Sequence, residues 1–327
     1  MNKFIFVSFA LVMAALTISS CDRERTGSSI EPESALPPSD EIPEKLISVS
    51  EAVDYYNNFY ESRVLSRAGK SSSETRKVWF SFALLEDFFA KVERVSQEKG
   101  IEITKLTFIL GSDADGERTV MMAPATYDPG LGINRTFTIE DDEIIFLHAY
   151  PGDKHSNLPE SSLSAQNFSN SLVLGSQGYL ASKDVITMYN RYYDLEVGPY
   201  TDKIEWDTRL VYYFPGEFEG YLSYLKQNDI SNDEIEISGI NAIYAAYDND
   251  PAEGIYANHV TLFFTPTDAS TGNEISFSGF NLENTFSFDY TKETFKLDKS
   301  LTISNNGSGG SSTYNKGGAG PPPPPDF

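Results

Sequence analysis

Laid against itself with a shift of 133 residues, the chain meets its own pattern again. "SEAVDYYNNFYE" (50–61) falls on "KDVITMYNRYYD" (183–194), and "ETRKVWF" (74–80) falls on "DTRLVYY" (207–213). Across 50–90 against 183–223, nine of 41 positions are identical without a gap, among them Tyr56/Tyr189, Tyr60/Tyr193, Arg76/Arg209 and Glu86/Glu219. Self-similarity at a fixed offset marks one supersecondary unit used twice, so the fold is restricted to what that unit can build.

The unit reads alike in both copies. Ser48 to Glu51 ("SVSE") is a capping box that opens a helix, and Ser182 is placed to cap its counterpart. Tyr56 and Tyr60, then Tyr189 and Tyr193, recur one turn apart on that helix. A strand follows, "KVWFSF" or "LVYYF", and after it a second helix: "LLEDFFAKVERVSQ" ending at Gly100, or "EFEGYLSYLKQ" ending near Asn228. Leu85, Phe88, Phe89 and Val92 repeat at three and four, the buried stripe of an amphipathic helix. Two strands then form a hairpin, "KLTFILG" through "SDADGE" into "RTVMMAP", and "GINAIYAAY" through "DNDPAEGIYAN" into "HVTLFFTP". The longer second loop moves the offset to 142 and puts Pro124 on Pro266. The prediction is an α+β fold, a tandem duplication of an αβαββ unit with mostly antiparallel sheets, with repeat 1 over 46–178 and repeat 2 over 179–303. "RTFTIEDDEIIFLHAY" adds two expected strands to the first repeat, and "ISFSGFNLENTFSFDYTKETFKL" alternates as strands closing the second. Residues 151–170 read as loop.

The ends have other tasks. "MNK" is a short positive start, "FIFVSFALVMAALT" is a run of 14 uncharged and mostly apolar residues, and "ISS" puts small residues before Cys21. That is the plan of a secretory signal peptide over 1–20, too short for a helix that spans a bilayer, which needs about 20 residues. Ile18, Ser19, Ser20 and Cys21 resemble the lipobox of bacterial lipoproteins. That resemblance implies a diacylglycerol thioether on the Cys21 sulfur, cleavage before it and acylation of the new amine. Cys21 is the sole cysteine, so no disulfide framework accounts for it. The segment 21–45, rich in Ser, Pro and charge, reads as a disordered tether. Stretched out, its 24 residues after Cys21 could reach about 80 Å. Residues 304–327 read as a disordered Gly/Ser-rich tail, with Pro321 to Pro325 a polyproline II rod of the kind that partners bind at low entropic cost.

Charge and motif limit the chemistry. Without residues 1–20 the chain has 24 basic and 48 acidic residues, a formal charge of −24. Such a chain repels phosphate backbones, which excludes nucleic-acid binding. No phosphate-binding loop, H-E-x-x-H or G-x-S-x-G motif occurs. Pro151 and Gly152 break any helix that could put His148 and His155 on one face; they and His259 read as structural or exposed. "EDDE" (140–143) reads as a solvated turn rather than the carboxylate pair of a glycosidase. Arg76 and Glu86, and their counterparts Arg209 and Glu219, read as an internal ion pair or cap setting strand against helix, with a functional anion site as the competing reading. The aromatic residues read as core, with Tyr200 and Trp206 in a loop. The weak metal candidates are Asp113, Asp115 and Glu117 in one hairpin loop and Asp248, Asp250 and Glu253 in the other, oxygen ligands of the type calcium takes. "DADGE" lacks the EF-hand's glycine and final glutamate positions, and Asp and Gly favour turns in any case.

The lipobox, the acidic Ser/Pro tether and the Tyr/Asn-rich body are together similar to the envelope lipoproteins of Bacteroidetes-type bacteria. The resemblance covers most of the chain, rests on no catalytic motif, and implies an exported, lipid-anchored location at the outer membrane, with no cofactor expected. The function expected is non-catalytic binding or scaffolding, with an envelope protein or glycan, or a partner of the Pro321–Pro325 tail, as the target. A surface-anchored hydrolase of glycan or peptide acting through carboxylates is the competing reading, and a calcium-stabilised module is a third.

Overall fold

The strands next to the second helix of each half leave their own half to complete the other's sheet. The computed structural model describes residues 46–47, 49–65, 75–147, 171–200, 207–230, 236–249, 256–269, 274–278, 281–286, 313–314 and 318–320, all within a compact unit that runs from Leu36 to Phe327. Its first part contains β1 (Leu46–Ile47), α1 (Val49–Phe59), β2 (Lys77–Ser81), α2 (Phe82–Lys99), β3 (Lys105–Ser112), β4 (Arg118–Asp128), β5 (Ile133–Glu140), β6 (Glu143–Phe146), β7 (Leu174–Gly175) and β8 (Gly178–Tyr179). Then come α3 (Ser182–Tyr192), β9 (Leu210–Tyr213), α4 (Pro215–Ile230), β10 (Ile237–Ala246), β11 (Val260–Asp268), β12 (Glu274–Ser278), β13 (Asn281–Phe286), β14 (Thr313–Tyr314) and β15 (Gly318–Gly320). Both α1 and α3 run on into one π-helical turn, Tyr60–Val64 and Tyr193–Val197.

Two sheets result, and the class is α+β with antiparallel pairing, as expected. One has the strand order β1-β14-β11-β10-β2, extended from β11 through β12 to β13; the other has the order β15-β9-β3-β4-β5-β6, with β7 and β8 branching from β4. The β10–β11 hairpin takes β2 as its neighbour, with Ile240 opposite both Phe80 and Pro266. The β3–β4 hairpin takes β9, with Leu106 opposite both Tyr213 and Pro124. Each sheet therefore contains a strand from beyond the 178/179 boundary.

The sheets face one another across an aromatic core. Phe108 of β3 meets Phe264 of β11 at 4.7 Å between ring centroids and Phe218 of α4 at 5.1 Å. Tyrosine hydroxyls cross the same gap to backbone carbonyls, Tyr213 to Leu262 and Tyr244 to Thr119, which satisfies their one polar atom inside the core. On α2, Leu85, Phe88, Val92 and Val95 are buried, while Phe89 packs against the core without full burial. The outer faces are covered as well. Tyr56 and Ala52 of α1 lie on Ile243, Ala245 and Phe263, and Val185, Ile186 and Tyr189 of α3 lie on Ile109, Met121 and Ala123. Burial on both faces explains why "KLTFILG" and "INAIYAA" are continuous apolar runs rather than alternating ones.

Local signals hold at α2, where Ser81 accepts from the Leu84 N–H at 3.2 Å and Gly100 ends the helix at φ 64°. The start of α3 differs from expectation. Its N-cap is Ala181, and Ser182 is the first helical residue, bound to the carboxylate of Glu140. The other proposed cap, Ser48, lies outside the described residues. The tail also differs, because β14 and β15 fall inside the stretch read as coil. A glycine-rich run has little propensity of its own, so its pairing is set by the strand edges it meets.

Candidate functional site

Asp113 holds the turn of the first half's hairpin loop. Asp113 Oδ1 accepts from the N–H groups of Asp115 and Glu117, and Gly116 turns the chain at φ 82°. Glu117 Oε2 accepts from the Thr75 N–H at 2.6 Å. In the second loop Asp248 Oδ1 accepts from the Asn249 N–H; Asp250 and Glu253 lie outside the described residues. No group of three potential metal ligands occurs among the described residues.

Other acids also have structural partners. Glu140 is buried, and its two oxygens take the Ser182 N–H at 2.6 Å and the Ser182 hydroxyl at 2.8 Å. Asp141 and Asp142 form the two-residue turn between β5 and β6 with φ of 48° and 67°, and Lys99 Nζ donates to Asp142. Asp207 holds Arg63 with one oxygen and the N–H groups of Thr208 and Val260 with the other. Glu196 holds Arg118 at 2.8 Å, both buried. These two buried pairs cross between the halves. His259 is buried, with Nδ1 2.9 Å from the Ala257 carbonyl. Cys21, His148, His155, Trp206 and Pro321 to Pro325 lie outside the described residues.

The ion pairs expected for Arg76 and Arg209 do not form. Glu86 stands beside the buried stripe of α2, so the helix turns it to the surface, where it meets Lys226. Burial, then the nearby Glu93, raises the pKa of Glu219. Arg76 instead lies over the Tyr60 ring at 4.5 Å and donates to the Tyr56 hydroxyl at 2.9 Å. Arg209 lies over Tyr189 at 3.7 Å and Tyr193 at 4.9 Å. The repeated tyrosines are thus aromatic seats for two buried guanidinium groups, a contact that residue spacing along one helix does not reveal.

Among the described residues, the sheet edge at β2 has no strand on it. Arg76 accepts from the Tyr244 N–H at 2.9 Å, in line with the β2–β10 register. Antiparallel pairing alternates, so Val78 and Phe80 also bond toward β10, while Lys77 and Trp79 present N–H and C=O outward. On β9 the corresponding outward residues are Leu210 and Tyr212, and there β15 pairs with them, Gly320 opposite Leu210 and Gly318 opposite Tyr212. No described strand covers β2 in that way. Its Trp79 is 42% exposed. The exposed ring of Phe214, by comparison, carries the Lys105 ammonium over its face.

Among the described residues no helix is long and apolar enough to cross a membrane. Comparison with protein-family models, curated proteins and solved structures found no match to this chain.

Proposed function

We propose that this chain is an exported lipoprotein of the bacterial envelope, anchored through Cys21 at the outer membrane, that binds or scaffolds a partner rather than catalysing a reaction. The observation that carries the binding reading is the outer edge of β2, which no described strand covers. Its Trp79 is 42% exposed, and β-strand addition uses such an edge, with main-chain bonds for affinity and side chains for specificity. The buried carboxylates support the non-catalytic reading, since Glu140, Asp207 and Glu196 are each engaged by a backbone or guanidinium group. The signal-like start and the tether support the location.

The fold itself we read as a tandem duplication with exchanged strands. Phe80 and Tyr213 are 133 residues apart, and each sits opposite the hairpin residue of the other half, Ile240 and Leu106. Pro124 and Pro266 then close the two hairpins at the offset of 142.

Two experiments test these statements. A photo-crosslinking residue at position 79 of the full-length chain, activated in the native envelope, should yield a discrete adduct; a chain that forms none there has no partner at this edge. Cys21→Ser should leave an uncleaved precursor that takes up no labelled fatty acid. Normal labelling of that variant would remove the anchor.

A further inference from the structure

We infer that the side chains of Lys77 and Asn241 become joined by an amide bond, with Glu274 as the general acid–base that forms it. The inference goes beyond the binding reading above and does not depend on it. Lys77 lies on β2 opposite Ile243, and Asn241 lies on β10 opposite Trp79. The two are therefore diagonal neighbours on one face of adjacent antiparallel strands, about 7–8 Å apart at the backbone and within a lysine chain's reach. Glu274, the first residue of β12, is fully buried, as is Asn241. A single oxygen, Glu274 Oε1, stands between the two side chains: Lys77 Nζ donates to it at 3.1 Å and Asn241 Nδ2 at 3.0 Å.

These are the parts that aminolysis of an amide requires. Lys77 supplies a nucleophilic amine, Asn241 supplies the carbonyl carbon and the leaving nitrogen, and Glu274 touches both reacting nitrogens. In the step, Glu274 takes a proton from the Lys77 ammonium and the amine adds to Asn241 Cγ. The Cγ–Nδ2 bond then breaks as Glu274 returns that proton to Nδ2. The second proton lost by Nζ leaves with the departing nitrogen as ammonium. One C–N bond forms, one breaks, and no oxidant or co-reactant is consumed. Thr265 of β11 lies directly opposite Asn241. Its hydroxyl is buried and has no hydrogen-bond partner among the described residues, and a donor at that place suits the oxyanion that forms on Asn241 Oδ1.

Other described pairs of lysine and carboxylate do not have this form. Lys99 with Asp142, and Lys226 with Glu86, meet in pairs whose acids are well exposed. The Lys77 pair differs in its fully buried acid and in the amide held on the same oxygen. Its place in the fold gives the bond a use. Lys77 belongs to the first half and Asn241 to the second, so the amide would hold the exchanged strand β2 in the sheet that receives it. Cys21 is the sole cysteine, so no disulfide within the chain can do this. A bond from residue 77 to residue 241 restricts the unfolded chain as a disulfide closing the same long loop would.

The test is a tryptic digest of the full-length chain, purified in detergent and read by mass spectrometry. Once acylated, Lys77 is no longer a cleavage site. The peptide beginning at residue 77 should appear branched to the peptide that contains Asn241, lighter than the two linear peptides together by one ammonia, about 17 Da. Glu274→Gln keeps the size and removes the base, and should lower the yield of the branched peptide by about tenfold or more. Lys77→Arg keeps a positive charge beside Glu274 and should abolish it. Cleavage after Lys77 together with a linear Asn241 peptide in the wild-type chain overturns the inference, whatever the variants do. An ammonia loss confined to a linear Asn241 peptide overturns it too, because that marks a succinimide. A branched peptide at the parental yield in Glu274→Gln overturns the role of Glu274.

Discussion

Glu140 shows how far a local task can be separated from a local residue. The first N–H groups of a helix need acceptors. At α2 the neighbouring Ser81 serves, whereas at α3 the acceptor comes from 42 residues upstream, at the end of β5. A buried carboxylate at a helix N-terminus adds a favourable charge to the hydrogen bonds. Glu140→Gln keeps the size and loses the charge, so a loss of about 1–2 kcal/mol is expected in denaturant unfolding. Glu219 makes the opposite prediction. Burial and Glu93 raise its pKa, so the folded chain favours the protonated form. The cost of ionising it is absent below the ordinary glutamate value, about pH 4, and appears as pH rises through the raised one. Glu219→Gln should therefore raise the melting temperature at pH 7 and leave it unchanged near pH 4. Gly100 and the stripe of α2 could be read from sequence because their causes lie within one turn. The partners of Glu140 and Arg76 could not, because packing between distant segments chooses them.

The helix–strand–helix–hairpin order follows from periodicity at the level of elements, yet which strand sits beside which does not. "KVWFS" and "LVYY" read as strands from β-branched and aromatic content. Nothing local tells β2 that its neighbour is β10. One residue does mark that contact. A Cβ on Gly239 would lie 2.2 Å from the Phe80 carbonyl oxygen and 2.9 Å from the Ser81 Cα, at the point where the β10–β11 register shifts. Backbone on backbone cannot yield as a flexible side chain can. Gly239→Ala should thus push β2 from β10 and cost about 1–3 kcal/mol, read as a lower midpoint in urea. A midpoint equal to the parent's would mean that β2 does not approach β10 as described. The tail strand β15 has the same lesson in reverse: a Gly-rich run reads as coil, and only the uncovered edge of β9 gives it a place.

For the whole molecule, exchange decides how the chain unfolds. If each half closed its own sheet, cutting between residues 178 and 179 would leave two units able to fold alone. Here the first piece would keep β3 and β4 without β9, and would carry β2 with no hairpin to receive it. The second piece would keep β10 and β11 without β2. The helices follow the strands, because α1 covers the β10 face and α3 covers the β3 face. Both buried ion pairs also span the cut, so each piece would expose a charge that the intact chain neutralises, Arg63 from Asp207 and Arg118 from Glu196. Removing one member of a buried pair typically costs about 3–5 kcal/mol, a large part of the stability of an ordinary domain. Residues 46–178 and 179–303, prepared separately, should therefore lack fixed near-ultraviolet circular dichroism and regain it only when mixed. The uncut chain should melt in one calorimetric transition, with equal calorimetric and van't Hoff enthalpies. Two separate transitions, or a native signal from either piece by itself, would show that the halves are self-sufficient and that the crossed pairings contribute little to the stability of the whole.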